Sequence, residues 1–88
     1  MSEFNADNTP LEFPCRLGVK AMGHAGAGLA ERAERIIADH ASVLDVQTTG
    51  SRNGRYVSVT VTIEAQSREQ LEGLYQALHN DDAVMVTL

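Results

Sequence analysis

Three observations predict an α+β sandwich for this 88-residue chain. Apolar residues alternate with period two in four short stretches, they recur at i, i+3 and i+4 in two others, and the turn pair Asn53-Gly54 joins two of the alternating stretches. The resulting order is strand, helix, strand, strand, helix, strand. Two crossover helices on one face of a four-stranded antiparallel sheet give a ferredoxin-like βαββαβ sandwich with strand order 4-1-3-2.

The first strand rests on Phe13, Cys15, Leu17, Val19 and Ala21, which alternate with Pro14, Arg16, Gly18, Lys20 and Met22. Gly23, Gly26 and Gly28 lead into the first helix. There Leu29, Ala33, Ile36 and Ile37 form one apolar stripe, and Glu31–Arg35 is a favourable i,i+4 pair on the other face. The hairpin is the strongest local signal. A two-residue type I′ turn at Asn53-Gly54 would pair Arg52 with Arg55, Thr48 with Val59, Val46 with Val61 and Leu44 with Ile63. On the opposite face it sets Thr49 against Ser58, Gln47 against Thr60 and Asp45 against Thr62, and a slip of one residue would scramble every pair.

Ser67 and Gln70 form an S-x-x-Q capping pattern at the start of the second helix, followed by the stripe Leu71, Leu74, Tyr75 and Leu78. Polar residues 79–82 break that helix. Val84, Val86 and Leu88 then alternate inward in a last strand. Residues 1–10 read as a disordered tail, and residues 11–88 as a single domain. The sheet face away from the helices would carry Arg16, Lys20, Gln47, Thr49, Tyr56, Ser58, Thr60, Thr62, Met85 and Thr87, a polar and solvated surface or a shallow docking face.

Composition narrows the function. With 43% apolar and 22% charged residues the chain reads as an ordinary globular domain, and no apolar run could span a bilayer. The net charge of −5 and the lack of a basic stripe argue against nucleic acid. The first ten residues lack the apolar run of a secretory signal, and the single Cys15 favours a cytoplasmic protein.

No residue set reads as catalytic. Cys15 falls on the inward face of its strand, the setting of an inert thiol. His24, His40 and His79 have no metal-ligand spacing, and His40 and His79 fall in the last turns of helices, where they favour the dipole. Asp81-Asp82 read as turn residues, and a lone Tyr56 falls short of a nucleobase-stacking sheet. Gly23-x-x-Gly26-x-Gly28 departs from the dinucleotide pattern, with Glu31 where a third glycine belongs. Chain direction nevertheless gathers this loop, the hairpin tip and residues 79–82 at one end of the domain. A helix N-terminus flanked by Arg52 and Arg55 is a candidate site for a small anion, with Lys20, Gly23, His24, Gly26 and Tyr56 as its other members.

These residues resemble the YbeD-like family of small uncharacterised bacterial proteins, from about Leu11 to Leu88. The resemblance rests on Glu12-Phe13-Pro14, on Lys20 and Met22-Gly23, on Ser51-x-x-Gly54-x-Tyr56-x-Ser58-Val59-Thr60, and on Leu74-Tyr75-x-x-Leu78. It implies a ferredoxin-like fold similar to the small-molecule-sensing ACT domains, no established activity, and family genes that often lie near lipoate-attachment genes. His24-Ala25 stands where an ACT ligand loop typically has an acidic residue and proline. Two functions are expected from this reading. One is a non-enzymatic regulatory or interaction module that binds a protein partner or forms a homodimer through its sheet. The other is an ACT-like sensor of a small anionic metabolite linked to lipoate. Neither needs a metal, a cofactor, nucleic acid or a membrane.

Overall fold

The computed structural model describes residues 12–50 and 53–87. Its elements are β1 (Cys15–His24), α1 (Leu29–Ala38), β2 (Ser42–Gly50), β3 (Tyr56–Ala65), α2 (Arg68–His79) and β4 (Val86–Thr87). The four strands form one antiparallel sheet in the order β2-β3-β1-β4, the ferredoxin-like topology that the element order predicts. The proposed tail at residues 1–10, together with Ser51, Arg52 and Leu88, lies outside the described residues.

The centre of the sheet is an unbroken register between β1 and β3, from Cys15 opposite Ala65 to His24 opposite Tyr56. Because side chains alternate across a strand, this register sends Val19, Ala21, Val59, Val61 and Ile63 to the helix-covered face. All five are buried, together with Leu29, Ala33 and Ile37 of α1 and Leu71, Leu74 and Leu78 of α2. The helix stripes therefore meet the core face as their spacing requires; Ile36 and Tyr75, at the margins of the stripes, are only partly buried.

α2 starts on the predicted cap. The Ser67 side chain accepts a hydrogen bond from the Gln70 N–H at 3.1 Å, while the Gln70 side chain accepts from the Gln66 N–H at 2.6 Å. Gln70 also donates to the His40 carbonyl at 2.7 Å and so ties the start of α2 to the end of α1. His79, in the last turn of α2, sits 3.0 Å from the Thr87 hydroxyl.

The hairpin and the last strand both differ from the sequence reading. In the hairpin, Thr48–Val59, Val46–Val61, Thr49–Ser58, Gln47–Thr60 and Asp45–Thr62 pair as predicted. Leu44 does not pair with Ile63. A bulge between Val43 and Asp45 puts Val43 opposite Ile63 and leaves Leu44 45% exposed. An extra residue lets the strand keep both Val43 and Val46 toward the core, and it sits on the edge strand, where only one neighbour resists the distortion. The turn differs as well. Gly54 has φ of 75°, but no non-glycine residue among those described has positive φ, so Asn53 does not take the type I′ conformation. Instead the Asn53 side chain accepts a hydrogen bond from the Arg55 N–H at 3.0 Å, an Asx-type closure.

The last strand is the second difference. Thr87 pairs with Ala21 on the core face and is buried, whereas Val86 pairs with Met22 on the open face and is 46% exposed. The expected inward Val86 and outward Thr87 are thus exchanged. The Thr87 hydroxyl makes its burial tolerable by bonding to the His79 ring, a partner that an apolar-alternation pattern cannot register.

Val61 is fully buried between β1 and β2, and its neighbour Thr60 faces the open side. Val61→Ala is expected to lower stability by about 1–3 kcal/mol in urea titrations. Thr60→Ala is expected to change it by no more than about 0.5 kcal/mol. Equal losses would show that the two faces are assigned the wrong way round.

Candidate functional site

The end of the domain where β1 leads into α1 collects most of the predicted site. His24 and Tyr56 are the last cross-strand pair of the β1–β3 register, on the open face. Their rings stack with centroids 5.1 Å apart and planes inclined by 29°, an offset arrangement favoured by the ring quadrupoles. Just beyond, the Ala25 N–H donates to the Arg55 carbonyl at 2.8 Å, which fastens the glycine loop to the hairpin. His24 and Arg55 are exposed, and Tyr56 is 36% exposed.

The glycines in this loop serve the backbone. Gly26 and Gly28 have φ of 87° and 71°, in the left-handed region where a side chain costs conformational energy. Gly28 is the N-cap of α1, so the first turn of that helix has no side-chain cap. Gly23 is buried on the core face, where a Cβ would collide with the Ala83 carbonyl and press on Leu29. Its role is close packing of β1 against the α2–β4 connection.

Other predicted members fall apart from this cluster. Lys20 pairs with Thr60, four residues along the strand from the His24–Tyr56 pair, or about 13 Å at the usual strand rise. Arg52 lies outside the described residues. The structure therefore brings His24, Gly26, Arg55 and Tyr56 to one end, puts Gly23 beneath it and leaves Lys20 on the middle of the open face. Among the described residues no group of three or more His, Cys, Asp or Glu side chains is placed to hold a metal ion.

The same end holds an ion pair that the sequence reading missed. Arg32 of α1 grips Asp81 with two hydrogen bonds, Nε to Oδ1 at 3.0 Å and a terminal nitrogen to Oδ2 at 3.1 Å. Asp81 Oδ1 also accepts from the Ala83 N–H at 2.8 Å, and the Asp81 carbonyl accepts from the Val84 N–H at 3.1 Å. Asp81 is thus a turn residue, as predicted, and also the anchor that sets the path of the chain from α2 over Gly23 into β4. The hydrogen bonds from Arg32 hold its carboxyl below the usual carboxylate range, against the opposing effect of partial burial. The two residues are separated by 49 positions, so no helix-spacing rule could have paired them.

Comparison with known proteins bears on the family and the fold. Residues 8–88 match the family model described as a protein of unknown function, DUF493. A UPF0250 protein of Nitrosomonas europaea is 42% identical over 81 residues, covering 89% of this chain and 91% of the relative. A UPF0250 protein of Azotobacter vinelandii is 37% identical with full coverage of both chains. Among solved structures, HP0495 from H. pylori superposes with a TM-score of 0.75 at 14% identity, over 100% of this chain and 98% of that one. The ACT domain from GTP pyrophosphokinase of Chlorobium tepidum superposes with a TM-score of 0.67 at 14% identity, over 83% of this chain and 94% of that one. Both structural likenesses establish the fold.

Two outcomes test the roles assigned here. Gly23→Ala is expected to destabilise the fold by about 1–3 kcal/mol in urea, the range for overpacking, without any ligand present; an unchanged midpoint would remove the packing role. Asp81 has a folded-state pKa below its ordinary value of 3.8, so its contribution is complete above that pH and is lost as pH falls through the depressed value. Asp81→Asn is therefore expected to lower stability at neutral pH and to flatten the acid limb of the stability curve. An acid limb identical to that of the parent protein would show that the ion pair contributes nothing in solution.

Proposed function

The chain belongs to the DUF493 family, and on that premise we propose that it is a non-enzymatic interaction module that binds a protein partner or a second copy of itself through its sheet. The observation that carries this reading is the state of β2. It lies at the sheet margin with β3 as its neighbour along its whole length, so its outer row of backbone N–H and C=O groups faces away from the sheet. Asp45 is its one charged residue, and the bulge presents Leu44 to solvent. Such an edge is a template for pairing. Antiparallel pairing of two copies centred on Val46 would set Val46 against Val46 and Asp45 against Gln47, with no like charges opposed.

A second reading, a sensor of a small anionic metabolite, draws on the uncapped first turn of α1 beside the His24–Tyr56 pair. Exposed N–H groups at a helix N-terminus favour a carboxylate or phosphate. Chemical-shift mapping with lipoate, serine and phosphate addresses it, and shifts clustered at residues 23–28 and 53–56 would favour it over the interaction module.

Light scattering at high micromolar concentration is expected to give twice the 9.5 kDa protomer mass. Leu44→Lys, which adds charge at an exposed edge position, is expected to return the monomer mass while leaving the fold intact. A monomer mass for the unaltered protein would remove self-association.

A further inference from the structure

The second margin of the sheet is incomplete. β1 spans Cys15–His24, yet among the described residues β4 pairs only with Ala21 and Met22. The Met85 N–H donates to the Met22 carbonyl at 2.8 Å, so the backbone groups of Met22 point toward the β4 side. In an antiparallel strand both backbone groups of a residue lie on the same edge and alternate with those of the next. Gly18 and Arg16 therefore direct their N–H and C=O toward that margin as well, where no described strand meets them.

The side chains along this stretch record the same gap. Val19 and Ala21 on the core face are 1% and 2% exposed, but Cys15 and Leu17, on the same face beyond the end of β4, are only partly buried although they pack against the core cluster. On the open face of the stretch stand Arg16 and Lys20, both exposed, with Gly18 between them. Neither cation has an ion pair among the described residues, even though Glu64 lies opposite Arg16 in the register. The β1–β3 register is unbroken at Gly18, so this glycine does not mark a bulge; a Cβ there would press on the Thr60 methyl at 3.2 Å on the open face.

We propose that the uncovered edge of β1 at Arg16–Gly18 is a strand-addition site for an extended segment of a partner protein, one whose apolar side chains alternate with acidic ones. The added strand would bond to the outward groups of Arg16 and Gly18. Its apolar side chains would cover Cys15 and Leu17, and its carboxylates would face Arg16 and Lys20. This inference rests on the interaction-module reading and names a surface separate from β2, so a dimer formed through β2 leaves the site open.

The test uses the full chain and two synthetic peptides, one alternating valine with glutamate and one alternating valine with lysine. In the free protein the Arg16 and Gly18 amides are expected to exchange rapidly with solvent. The glutamate peptide is expected to slow that exchange and shift those resonances, binding roughly fivefold more tightly than the lysine peptide, as two exposed charge pairs allow. The double variant Arg16→Glu, Lys20→Glu, altered only at exposed positions and checked for its amide spectrum, is expected to reverse the preference. Protection of Arg16 and Gly18 in the free protein would mean that the chain itself or a second copy fills the slot, and would overturn the proposal. Peptide-induced shifts along Ser42–Gly50 would move strand addition to β2, leaving the module reading intact and this site refuted. Absence of binding by either peptide at millimolar concentration would refute the site, whereas a dimer mass in light scattering would keep the module reading standing without it.

Discussion

The ladder between β1 and β3 is the constraint on which the remainder depends. Among the described residues these two strands are the only ones with neighbours on both sides, and their unbroken pairing fixes which residues face the helices. Val19, Ala21, Val59, Val61 and Ile63 become core by that one choice of register, and the leucines and isoleucine of the two helices can then close over them. The ladder also fixes its ends. It brings His24 against Tyr56 at one end, and puts Gly23 under the chain leaving α2. A shift of one residue would send the threonines of β3 inward and the valines outward, which no adjustment of the helices could repair.

Magnitudes separate what holds the fold from what directs it. A buried aliphatic side chain such as Val61 contributes on the order of 1–3 kcal/mol, and a dozen apolar residues are buried here. The Arg32–Asp81 pair has one side chain 46% exposed, and solvent screening leaves pairs in such settings little weight in stability. Its importance lies in geometry. Asp81 bonds Arg32 of α1 and the backbone of Ala83, so the chain between α2 and β4 is held where the Ala83 carbonyl passes over Gly23. Core burial sets the stability, and the ion pair chooses one path for a loop that apolar packing alone leaves undirected.

The sequence was legible wherever a residue had neighbours on every side. The central strands, both helix stripes, the Ser67 cap and the hairpin register over residues 45–49 follow from periodicity and turn chemistry because each apolar position there meets another apolar position. Leu44 and Thr87 were misread for a common reason. Both lie on marginal strands with a partner on one side, so a bulge or a reversed face costs little, and side-chain chemistry decides instead. For Thr87 the deciding partner is His79, eight residues earlier and on another element. The site reading fared likewise. Strand order brings His24, Gly26, Arg55 and Tyr56 to one end, whereas Lys20, four residues along β1, lies too far down the sheet to join them. Contacts between distant segments, such as Arg32 with Asp81 or Gln70 with His40, leave no local periodic trace.

The two margins of the described sheet differ in kind. β2 presents a whole strand, with a bulge at Leu44 that interrupts the regular backbone near its start. Among the described residues β1 has no bulge, and β4 pairs with it only at Ala21 and Met22. On the proposed reading, regular geometry would ease the entry of an extended segment beside β1, and Arg16 and Lys20 would discriminate by charge among such segments. β2, with a single carboxylate and a run of threonine and valine, selects by shape and self-complementarity. A domain that bound at both margins in the proposed way would hold a second copy on one side and a different chain on the other without the two competing. That arrangement suits a module whose effect comes from what it brings together.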